Sequence, residues 1–268
     1  MESIPKCGFG TYPLKGQEAI NCALIALREG YDHVDTATLY RNEFEIGKAI
    51  KLSGISRDKL WVTTKIQPRD IGKGKRSIWK SILNSLKQLD TDYIDLVLLH
   101  APVNDKLIES WSVLEEIIMG NVVELKNKVR FIGISNYDIC HMDVILKNCR
   151  IKPYCNQFEI TPFYNRPDLL DYCKEMGIIV VAHTSLVKGE KFHDVRLEAL
   201  STETGISKSL LLLGWAIAKG MVVLPRSGNE EHIRENIKCL SVKLSEEIIK
   251  KLDTFDDGYC LYAKFKKL

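Results

Sequence analysis

A short segment, Asp35 to Glu43, concentrates polar groups that could take part in proton transfer. It reads Asp-Thr-Ala-Thr-Leu-Tyr-Arg-Asn-Glu and follows a short apolar run, so an acid, a phenol and an amide lie where a buried strand ends. Buried ionisable groups need partners. Two candidates, Lys65 and His100, each end a later apolar segment. We predict that these side chains converge on Tyr40.

The chemistry of that set suits carbonyl reduction. A phenol with an ordinary pKa near ~10 is a poor acid at neutral pH. We expect the Lys65 ammonium to lower the pKa of Tyr40, and the Asp35 carboxylate to keep the lysine charged and oriented. His100 beside the phenol can donate a hydrogen bond to a substrate carbonyl oxygen. No side chain delivers hydride, so the set requires a reduced nicotinamide or flavin.

Each of these residues also has a structural interpretation when it is taken alone. An aspartate before a helix is commonly a cap, as Asp35 would be. A lysine that ends a strand, such as Lys65, commonly reaches solvent. A histidine after an apolar strand, such as His100, is commonly a hydrogen-bonded core group. Four polar groups near successive strand ends favour a shared site over four separate structural roles.

Strand-like and helix-like patterns alternate from one end of the chain to the other. The predicted strands are Gly8 to Tyr12, Tyr31 to Ala37, Leu60 to Ile66, Ile94 to His100, Val129 to Ser135, Tyr154 to Ile160, Ile178 to Thr184 and Met221 to Arg226. Helical spacing of apolar residues follows each strand, and two more helices are predicted near Glu230 to Cys239 and Ser245 to Leu252.

This rhythm over 268 residues predicts a single α/β domain, residues 1–268, folded as a (β/α)₈ TIM barrel with an extra C-terminal helix and a short C-terminal tail. The rival is a doubly wound open sheet, which usually carries Gly-x-Gly-x-x-Gly after its first strand. Here Gly8-Phe9-Gly10 is followed by Thr-Tyr-Pro, so the third glycine is missing.

Composition excludes several classes of protein. Hydrophobic residues make up 45% and charged residues 27%, as in globular proteins, and a net charge of +3 is too small to favour nucleic acid. The basic end, Lys264 to Lys267, is expected to be a solvated tail. The longest apolar run, Leu210 to Ala218, is shorter than the ~20 residues that span a bilayer. The first residues lack the apolar core of a signal peptide, so we expect a cytoplasmic protein without a membrane partner.

The eight cysteines do not form a disulfide or metal pattern. Their spacings include no Cys-x-x-Cys, and Cys140, Cys149 and Cys155 with His141 fit no ligand arrangement. We therefore predict reduced cysteines packed as small apolar residues, and no metal site.

In its sequence motifs and their order, the chain resembles the aldo-keto reductases over nearly its full length. The segments that carry the resemblance are Gly-Phe-Gly-Thr from Gly8, His-Val-Asp-Thr-Ala-Thr-Leu-Tyr-Arg-Asn-Glu from His33, Val-Thr-Thr-Lys from Val62, Asp-Leu-Val-Leu-Leu-His-Ala-Pro from Asp95, Ile-Gly-Ile-Ser-Asn-Tyr from Ile132, Asn-Gln-Phe-Glu from Asn156, Leu-Pro-Arg-Ser from Leu224 and Glu-Asn at Glu235. The resemblance implies a catalytic tetrad of Asp35, Tyr40, Lys65 and His100, with Tyr40 as the general acid.

The resemblance also implies the cofactor contacts. Ser135, Asn136 and Gln157 would hold the nicotinamide carboxamide. Arg226 and Ser227 would meet the phosphate on the adenosine ribose, and Glu235 and Asn236 the adenine. Independently of the family, Arg226 and Ser227 end the last strand just before a helix, where an anion binds readily; the alternative there is a solvated arginine in a turn.

Two substitutions depart from the family's cofactor pattern. After strand seven the family usually has a tyrosine that stacks on the nicotinamide, and here His183 stands there. Imidazole offers less area and titrates near pH 6 to 7, so we expect weaker and more pH-dependent cofactor binding. His232 stands where an arginine usually meets the ribose phosphate, while Arg226 replaces a commoner lysine and can grip phosphate with two bonds. NADPH remains the expected cofactor, with NADH as the alternative.

The ends of the chain depart as well. The hairpin that usually plugs the bottom of the barrel is nearly absent before Pro5. The tail after Phe255 is short, and long carboxyl-terminal loops normally wall the substrate pocket in this family, so we expect an open pocket and loose specificity.

The sequence therefore predicts an NADPH-dependent reductase of small carbonyl compounds, aldehydes and ketones, acting as a monomer. One alternative is a catalytically weak cofactor-binding protein with a structural or regulatory role. Another is a barrel enzyme with phosphorylated substrates, which would use Arg226 but leave Tyr40 and Lys65 without a role.

Overall fold

The computed structural model describes residues 3–262, which form a closed barrel of eight parallel strands surrounded by helices. The strands follow one another around the sheet in chain order. A parallel bridge between Cys7 and Val223, with the Gly8 amide donating to the Val223 carbonyl at 2.8 Å, closes the ring. The predicted (β/α)₈ barrel is confirmed, since a doubly wound sheet stays open and reorders its strands.

The strands match the predicted ones, although several are shorter. They are β1 (Phe9–Gly10), β2 (His33–Asp35), β3 (Trp61–Ile66), β4 (Ile94–Leu99), β5 (Val129–Ser135), β6 (Cys155–Glu159), β7 (Ile179–His183) and β8 (Val222–Val223). β7 stops before Thr184 because that residue is left-handed, with φ of 61°. The predicted extension of β8 to Arg226 is wrong; Pro225 has no N–H to continue a ladder.

The helices surround the sheet. They are α1 (Gly16–Arg28), α2 (Glu43–Ser53), α3 (Pro68–Gly72), α4 (Lys75–Leu89), α5 (Leu107–Ile118), α6 (Ile139–Leu146), α7 (Pro167–Met176), α8 (Val195–Thr204), α9 (Lys208–Ala218), α10 (Glu230–Asn236) and α11 (Glu246–Asp253). The sequence analysis missed α3 and α8. α3 is too short to show a periodicity, but α8 carried a usable signal: the Asp194 side chain caps it by accepting from the Arg196 amide.

Aromatic side chains close the amino end of the barrel. The ring of Trp61 stacks on those of Phe131 and Tyr154, with centroids 5.3 and 5.8 Å apart. Ile4 packs in the same cluster, and its amide donates to the Tyr154 hydroxyl at 3.1 Å. The interior at this end is therefore packed core, and the cavity lies at the opposite end.

Some expectations concern other parts of the chain. The basic segment Lys264 to Lys267 lies outside the described residues. Within residues 3–262, no helix has the length and apolar character to cross a membrane. In that same range no group of histidines, cysteines and acids is arranged to hold a metal ion.

Candidate active site

One cavity of about 520 Å³ opens at the carboxyl ends of the strands. Its lining includes all but one of the predicted site residues: Asp35, Tyr40, His100, Ser135, Asn136, Gln157, His183, Arg226, Ser227, His232, Glu235 and Asn236. The exception, Lys65, lies beneath the floor with no exposed surface. Side chains that are spread over most of the chain thus share one site, as the carboxyl-end rule for barrels predicts.

The ammonium of Lys65 connects the polar groups of the cavity floor. Its Nζ donates to Asp35 Oδ1, to the Thr36 carbonyl at 3.0 Å and to the Tyr40 hydroxyl at 3.2 Å. Because these acceptors use all three N–H groups, the buried charge is fully hydrogen-bonded. The prediction that Asp35, Tyr40 and Lys65 meet is confirmed as a matter of geometry.

The segment before α2 is folded so that Tyr40 reaches the lysine. Tyr40 ends a 3₁₀ turn that begins at Thr38, and the Thr38 hydroxyl donates to the Lys65 carbonyl at 3.0 Å. Asn42 is 1% exposed, and its side-chain Nδ2 donates to the backbone carbonyls of Thr11 and Leu14 at 3.0 and 2.9 Å. These local hydrogen bonds fix the turn to the first strand and to β3.

The surroundings of the phenol shift its pKa in a direction that the sequence analysis did not expect. Burial raises the pKa of Tyr40 above its usual value, and the charge and hydrogen bond of Lys65 only partly oppose that rise. Burial also lowers the pKa of Lys65, but Asp35 and Tyr40 outweigh it and the net direction is upward. The predicted net lowering of the Tyr40 pKa is therefore wrong, because desolvation exceeds the attraction to the lysine.

His100 lies beside the phenol. Its ring centroid is 5.6 Å from that of Tyr40, with the ring planes at 77°. The His100 amide donates to the Ile66 carbonyl at 3.0 Å, and the His100 carbonyl accepts from Asn136 Nδ2 at 2.9 Å. Backbone contacts on both sides thus hold this histidine at the end of β4.

The amide residues of the next strands belong to the same network. Gln157 Nε2 donates to Asp35 Oδ2 at 2.9 Å, and the Ser135 hydroxyl donates to the Gln157 carbonyl at 2.8 Å. Asn136 is left-handed, with φ of 61°, which Asn tolerates better than most residues. Its backbone N–H donates to the same carbonyl of Gln157 at 2.8 Å.

His183, at the end of β7, is held by both ring nitrogens. Nε2 lies 3.0 Å from Asn136 Oδ1, and Nδ1 lies 2.8 Å from the Thr184 hydroxyl. Burial, followed by the charges of Lys65 and Lys188, lowers the pKa of His183 to about 3. The expectation that this imidazole titrates near pH 6 to 7 is therefore wrong, since two nearby ammonium groups and a desolvated ring disfavour its charged form.

The far end of the cavity carries the residues predicted to meet the adenosine half of a dinucleotide. Arg226 is exposed, and its Nε donates to the Tyr12 carbonyl at 2.9 Å; the terminal nitrogens form the fork that grips a phosphate. The Ser227 hydroxyl accepts from the Asn229 amide at 3.0 Å. His232 is exposed, whereas Asn236 is buried.

The shape and donor set of the cavity fit a nicotinamide dinucleotide. Amide and hydroxyl groups lie at one end, beside the proton-transfer set, and a guanidinium lies at the other. Gly10 lines the cavity between them, and a Cβ there would come within 3.0 Å of the Leu224 carbonyl. Its lack of a side chain allows β1 to approach the backbone at Leu224 closely.

The C-terminal tail covers part of this cavity. Glu159, at the end of β6 and 5% exposed, accepts from the amides of Leu261 and Tyr262 at 2.8 and 2.9 Å and from Cys260 Sγ at 3.1 Å. The Tyr262 ring lies edge-on to His183, with centroids 5.6 Å apart. Glu159 therefore fixes residues 260–262 over this side of the cavity, and the expected open pocket with loose specificity stays a prediction.

Glu159 and Tyr262 are also residues that sequence reasoning missed. Glu159 ends a buried strand, and an acid at that position is a signal that its partner must come from elsewhere in the chain. Nothing in the local sequence identified that partner as the tail.

Comparison with known proteins agrees with the fold and identifies the family. The model of the Aldo/keto reductase family matches residues 6–257. Glyoxal reductase of Bacillus subtilis is 33% identical over 254 residues, which cover 94% of this chain and 89% of that protein. The 9,11-endoperoxide prostaglandin H2 reductase of Trypanosoma cruzi is 32% identical over 258 residues, 95% of this chain and 88% of that protein.

Solved structures give the same result. An aldo-keto reductase from a Medee basin deep-sea metagenome library superimposes with a TM-score of 0.93 at 30% identity, covering 99% of this chain and 96% of that one. An aldo/keto reductase of Brucella melitensis gives 0.87 at 31% identity, covering 94% and 95%.

Fold, site and comparisons together define an NAD(P)H-dependent oxidoreductase built on a (β/α)₈ barrel. The chain belongs to the aldo/keto reductase family.

Proposed function

We propose that this protein reduces aldehydes and ketones to alcohols, with NADPH as the hydride donor and Tyr40 as the proton donor. The observation that carries the proposal is the floor of the cavity, where the buried ammonium of Lys65 is hydrogen-bonded both to Asp35 and to the Tyr40 hydroxyl. A phenol, an ammonium and a carboxylate in one desolvated network, with His100 beside them, form a proton donor for a developing alkoxide.

Tyr40 would give its proton to the carbonyl oxygen as that oxygen becomes an alkoxide. The raised pKa keeps the phenol protonated at neutral pH, so the acid form is the resting form. Lys65 would stabilise the phenolate that remains, and Asp35 would keep the lysine charged. His100 would donate a hydrogen bond to the substrate oxygen and orient the carbonyl.

The remaining polar residues would hold the cofactor, whose reduced nicotinamide supplies the hydride. Ser135, Asn136 and Gln157 would bind the carboxamide, and His183 would stack on the ring in its neutral form. Residues that follow β8 or lie on α10 would bind the other end of the cofactor. Arg226, Ser227 and His232 would bind the ribose phosphate, and Glu235 and Asn236 would bind the adenine.

The choice of NADPH over NADH depends on Arg226. Its guanidinium can bind a ribose phosphate with two parallel hydrogen bonds. His232, in place of a second strong cation, weakens the preference without reversing it. We further propose that residues 1–268 act as one domain and as a monomer on small carbonyl substrates.

Replacing Tyr40 by phenylalanine tests the mechanism. Tyr40→Phe should lower turnover with NADPH and a generic aldehyde by at least about a hundredfold, the usual contribution of a general acid. Because glyoxal is the substrate in the name of one relative, the aldehyde panel should include it. Cofactor affinity, measured by quenching of tryptophan fluorescence, should change little, since the hydroxyl belongs to the floor rather than to the cofactor contacts.

Tyr93→Phe, a phenol removed far from the cavity, is the matched control and should retain turnover. Retained turnover in Tyr40→Phe would remove Tyr40 from the acid role. Cofactor binding by the wild type without oxidation of NADPH by any aldehyde would favour the cofactor-binding protein without useful catalysis.

A further inference from the structure

We propose that a groove between α2 and α4, here called the α2–α4 cavity, is a second binding site that takes an uncharged polyol, a sugar or a sugar alcohol. The site is separate from the active-site cavity. The proposal goes beyond the reductase function and does not depend on it.

The α2–α4 cavity is comparable in size with the active-site cavity. Its volume is about 440 Å³, against about 520 Å³ for the active site, and both lie within the usual range of ligand pockets. The 3₁₀ turn that precedes α2 separates the two. Leu39 and Tyr40 line the active-site cavity, whereas Thr38 and Arg41 line the α2–α4 cavity. A ligand in the second cavity would therefore occupy space that the cofactor does not use.

The lining of the α2–α4 cavity is rich in neutral groups that form hydrogen bonds. Phe44 is its only apolar residue within the described part of the chain. The neutral polar residues come from the turn before α2, from the residue after β3 and from one face of α4: Thr38, Gln67, Ser77, Ser81, Asn84 and Gln88. Amides and hydroxyls both donate and accept, and a ligand with many hydroxyl groups needs partners of this kind.

The charged residues of the lining favour an uncharged ligand. Arg41 and Lys80 are cationic, and Glu43, Glu45 and Asp70 are acidic. Within residues 3–262 none of these five side chains forms a salt bridge. A ligand with a strong net charge of either sign would be repelled by part of this wall. Hydroxyl groups, in contrast, can accept from the cations and donate to the carboxylates.

Two of the carboxylates are already oriented by the protein. Asp70 accepts from Gln67 Nε2 at 2.8 Å and from the Ser77 hydroxyl at 3.4 Å. Glu43 is 5% exposed and accepts from the Thr64 hydroxyl at 2.6 Å. A carboxylate has about four acceptor sites, so both can accept further hydrogen bonds. Side chains that are fixed in advance also lose less conformational entropy when a ligand binds.

Other polar groups of the wall have no partner within residues 3–262. Ser81 is 8% exposed, and its hydroxyl forms no hydrogen bond there. Asn42 precedes α2, but its side chain does not cap the helix, because its Oδ1 accepts from the Thr36 hydroxyl at 2.8 Å. The hydrogen bonds of α2 begin where the Ile46 amide donates to the Asn42 carbonyl at 3.0 Å. The earlier N–H groups of this turn, whose residues line the cavity, are therefore available to hydroxyl oxygens of a ligand.

Phe44 supplies an apolar surface of the kind that sugar rings contact. Its side chain is 60% exposed, although it lies among polar residues in the first turn of α2. The negative face of an aromatic ring attracts the weakly positive C–H groups of a sugar. One exposed ring among many hydrogen-bonding groups favours a polyol over a purely ionic ligand.

Saturation-transfer NMR titrations test the site with trehalose and myo-inositol, two uncharged polyols that have no carbonyl group for a reductase to consume. Both should bind saturably. Phe44→Ala and Asn84→Ala should each weaken trehalose about fivefold, as expected for the loss of an aromatic contact or a hydrogen bond. Leu52→Ala and Lys87→Ala are the matched controls, since these exposed residues of α2 and α4 do not line the cavity. They should leave the affinity for trehalose within twofold.

All four variants change exposed side chains, so each should keep the melting temperature of the wild type and its oxidation of NADPH by an aldehyde. If neither polyol binds saturably, or if neither Phe44→Ala nor Asn84→Ala weakens trehalose, the site is overturned. Tighter binding of gluconate or spermidine than of myo-inositol would overturn the choice of an uncharged ligand. Loss of trehalose binding when NADPH saturates the protein would place the sugar in the active-site cavity and would also overturn the proposal.

Discussion

Lys65 is a fully buried cation, and its position explains why the polar groups of the floor form one unit. Asp35, Tyr40 and a backbone carbonyl share its three N–H groups, and Asp35 also accepts from Gln157. Breaking a buried ion pair by removing one partner costs about 3–5 kcal/mol. Substitutions at Lys65 or Asp35 therefore confuse stability with catalysis. Tyr40→Phe keeps the ion pair and leaves only one N–H of the lysine without its acceptor, so it reports more directly on the chemistry.

A fully buried histidine and a half-buried one make the stability of the protein depend on acid. Burial lowers the pKa of His33 from 6.5 to about 3, and His183 shifts in the same direction to about 3. Below about pH 6.5 these two histidines bind protons in the unfolded chain, whereas in the folded protein they remain neutral. The free energy of unfolding should therefore fall as the pH decreases from about 6.5 towards 3, by up to about 1.4 kcal/mol per pH unit for each histidine.

His33 provides the test, because it lies away from the cavity and its Nε2 is 3.0 Å from the Thr63 hydroxyl, a contact that glutamine can imitate. Urea unfolding of His33→Gln at pH 7, 6 and 5 should give a shallower dependence on pH than that of the wild type. His193→Gln, at a side chain that is 94% exposed, should keep the wild-type dependence. Parallel curves for wild type and His33→Gln would contradict the assignment.

At the scale of the elements, the tail and β6 are joined through a single carboxylate. Glu159 accepts from the amides of Leu261 and Tyr262 and from the Cys260 thiol. Glu159→Gln replaces one acceptor oxygen by a donor, so at least one of these amides loses its partner. We expect faster hydrogen exchange at Leu261 and Tyr262, measured by mass spectrometry, together with weaker cover over His183.

The control for the tail is Glu190→Gln, which removes a charge that contacts the exposed Tyr259 hydroxyl. It should leave exchange at Leu261 and Tyr262 unchanged. If Glu159→Gln also leaves their exchange unchanged, Glu159 does not hold the tail. Exchange within β3 and β4 should stay slow in both variants, because the contact lies at the rim of the barrel.

The elements also mark the limit of what the sequence predicted. The strand Ile94–Leu99 was found because a parallel strand covered on both faces is almost continuously hydrophobic in sequence. The floor of the site was found because Asp35, Lys65 and His100 lie at or next to the ends of such strands, with Tyr40 on the turn after β2. Tyr262 was missed because its position over the cavity depends on a contact between Glu159 and a distant segment, which has no local signature.

At the scale of the whole molecule, cofactor binding and folding are linked. A ligand that binds only the folded barrel stabilises it by about 2.7 kcal/mol at a hundred times its dissociation constant. NADPH should therefore raise the melting temperature more than NADH at equal concentration, because Arg226 offers a fork to the ribose phosphate. If the two cofactors raised the melting temperature equally, the NADPH assignment would be overturned. The assignment to an NAD(P)H-dependent oxidoreductase would not be affected.

Arg226→Gln is the matched variant for this comparison of NADPH with NADH. In this variant, NADPH should raise the melting temperature only as much as NADH does. A difference that persists in this variant would assign the discrimination to His232 and its neighbours instead.

The barrel also separates the two ends of the described chain. Ile4 packs among Trp61 and Tyr154 at the amino ends of the strands, while Leu261 and Tyr262 are held by Glu159 at the rim of the cavity. The molecule therefore has a polarity that an experimenter can use. A sensor surface or affinity resin coupled on the Ile4 side would leave the catalytic mouth facing the solution, whereas coupling beside Tyr262 would place the support directly over it.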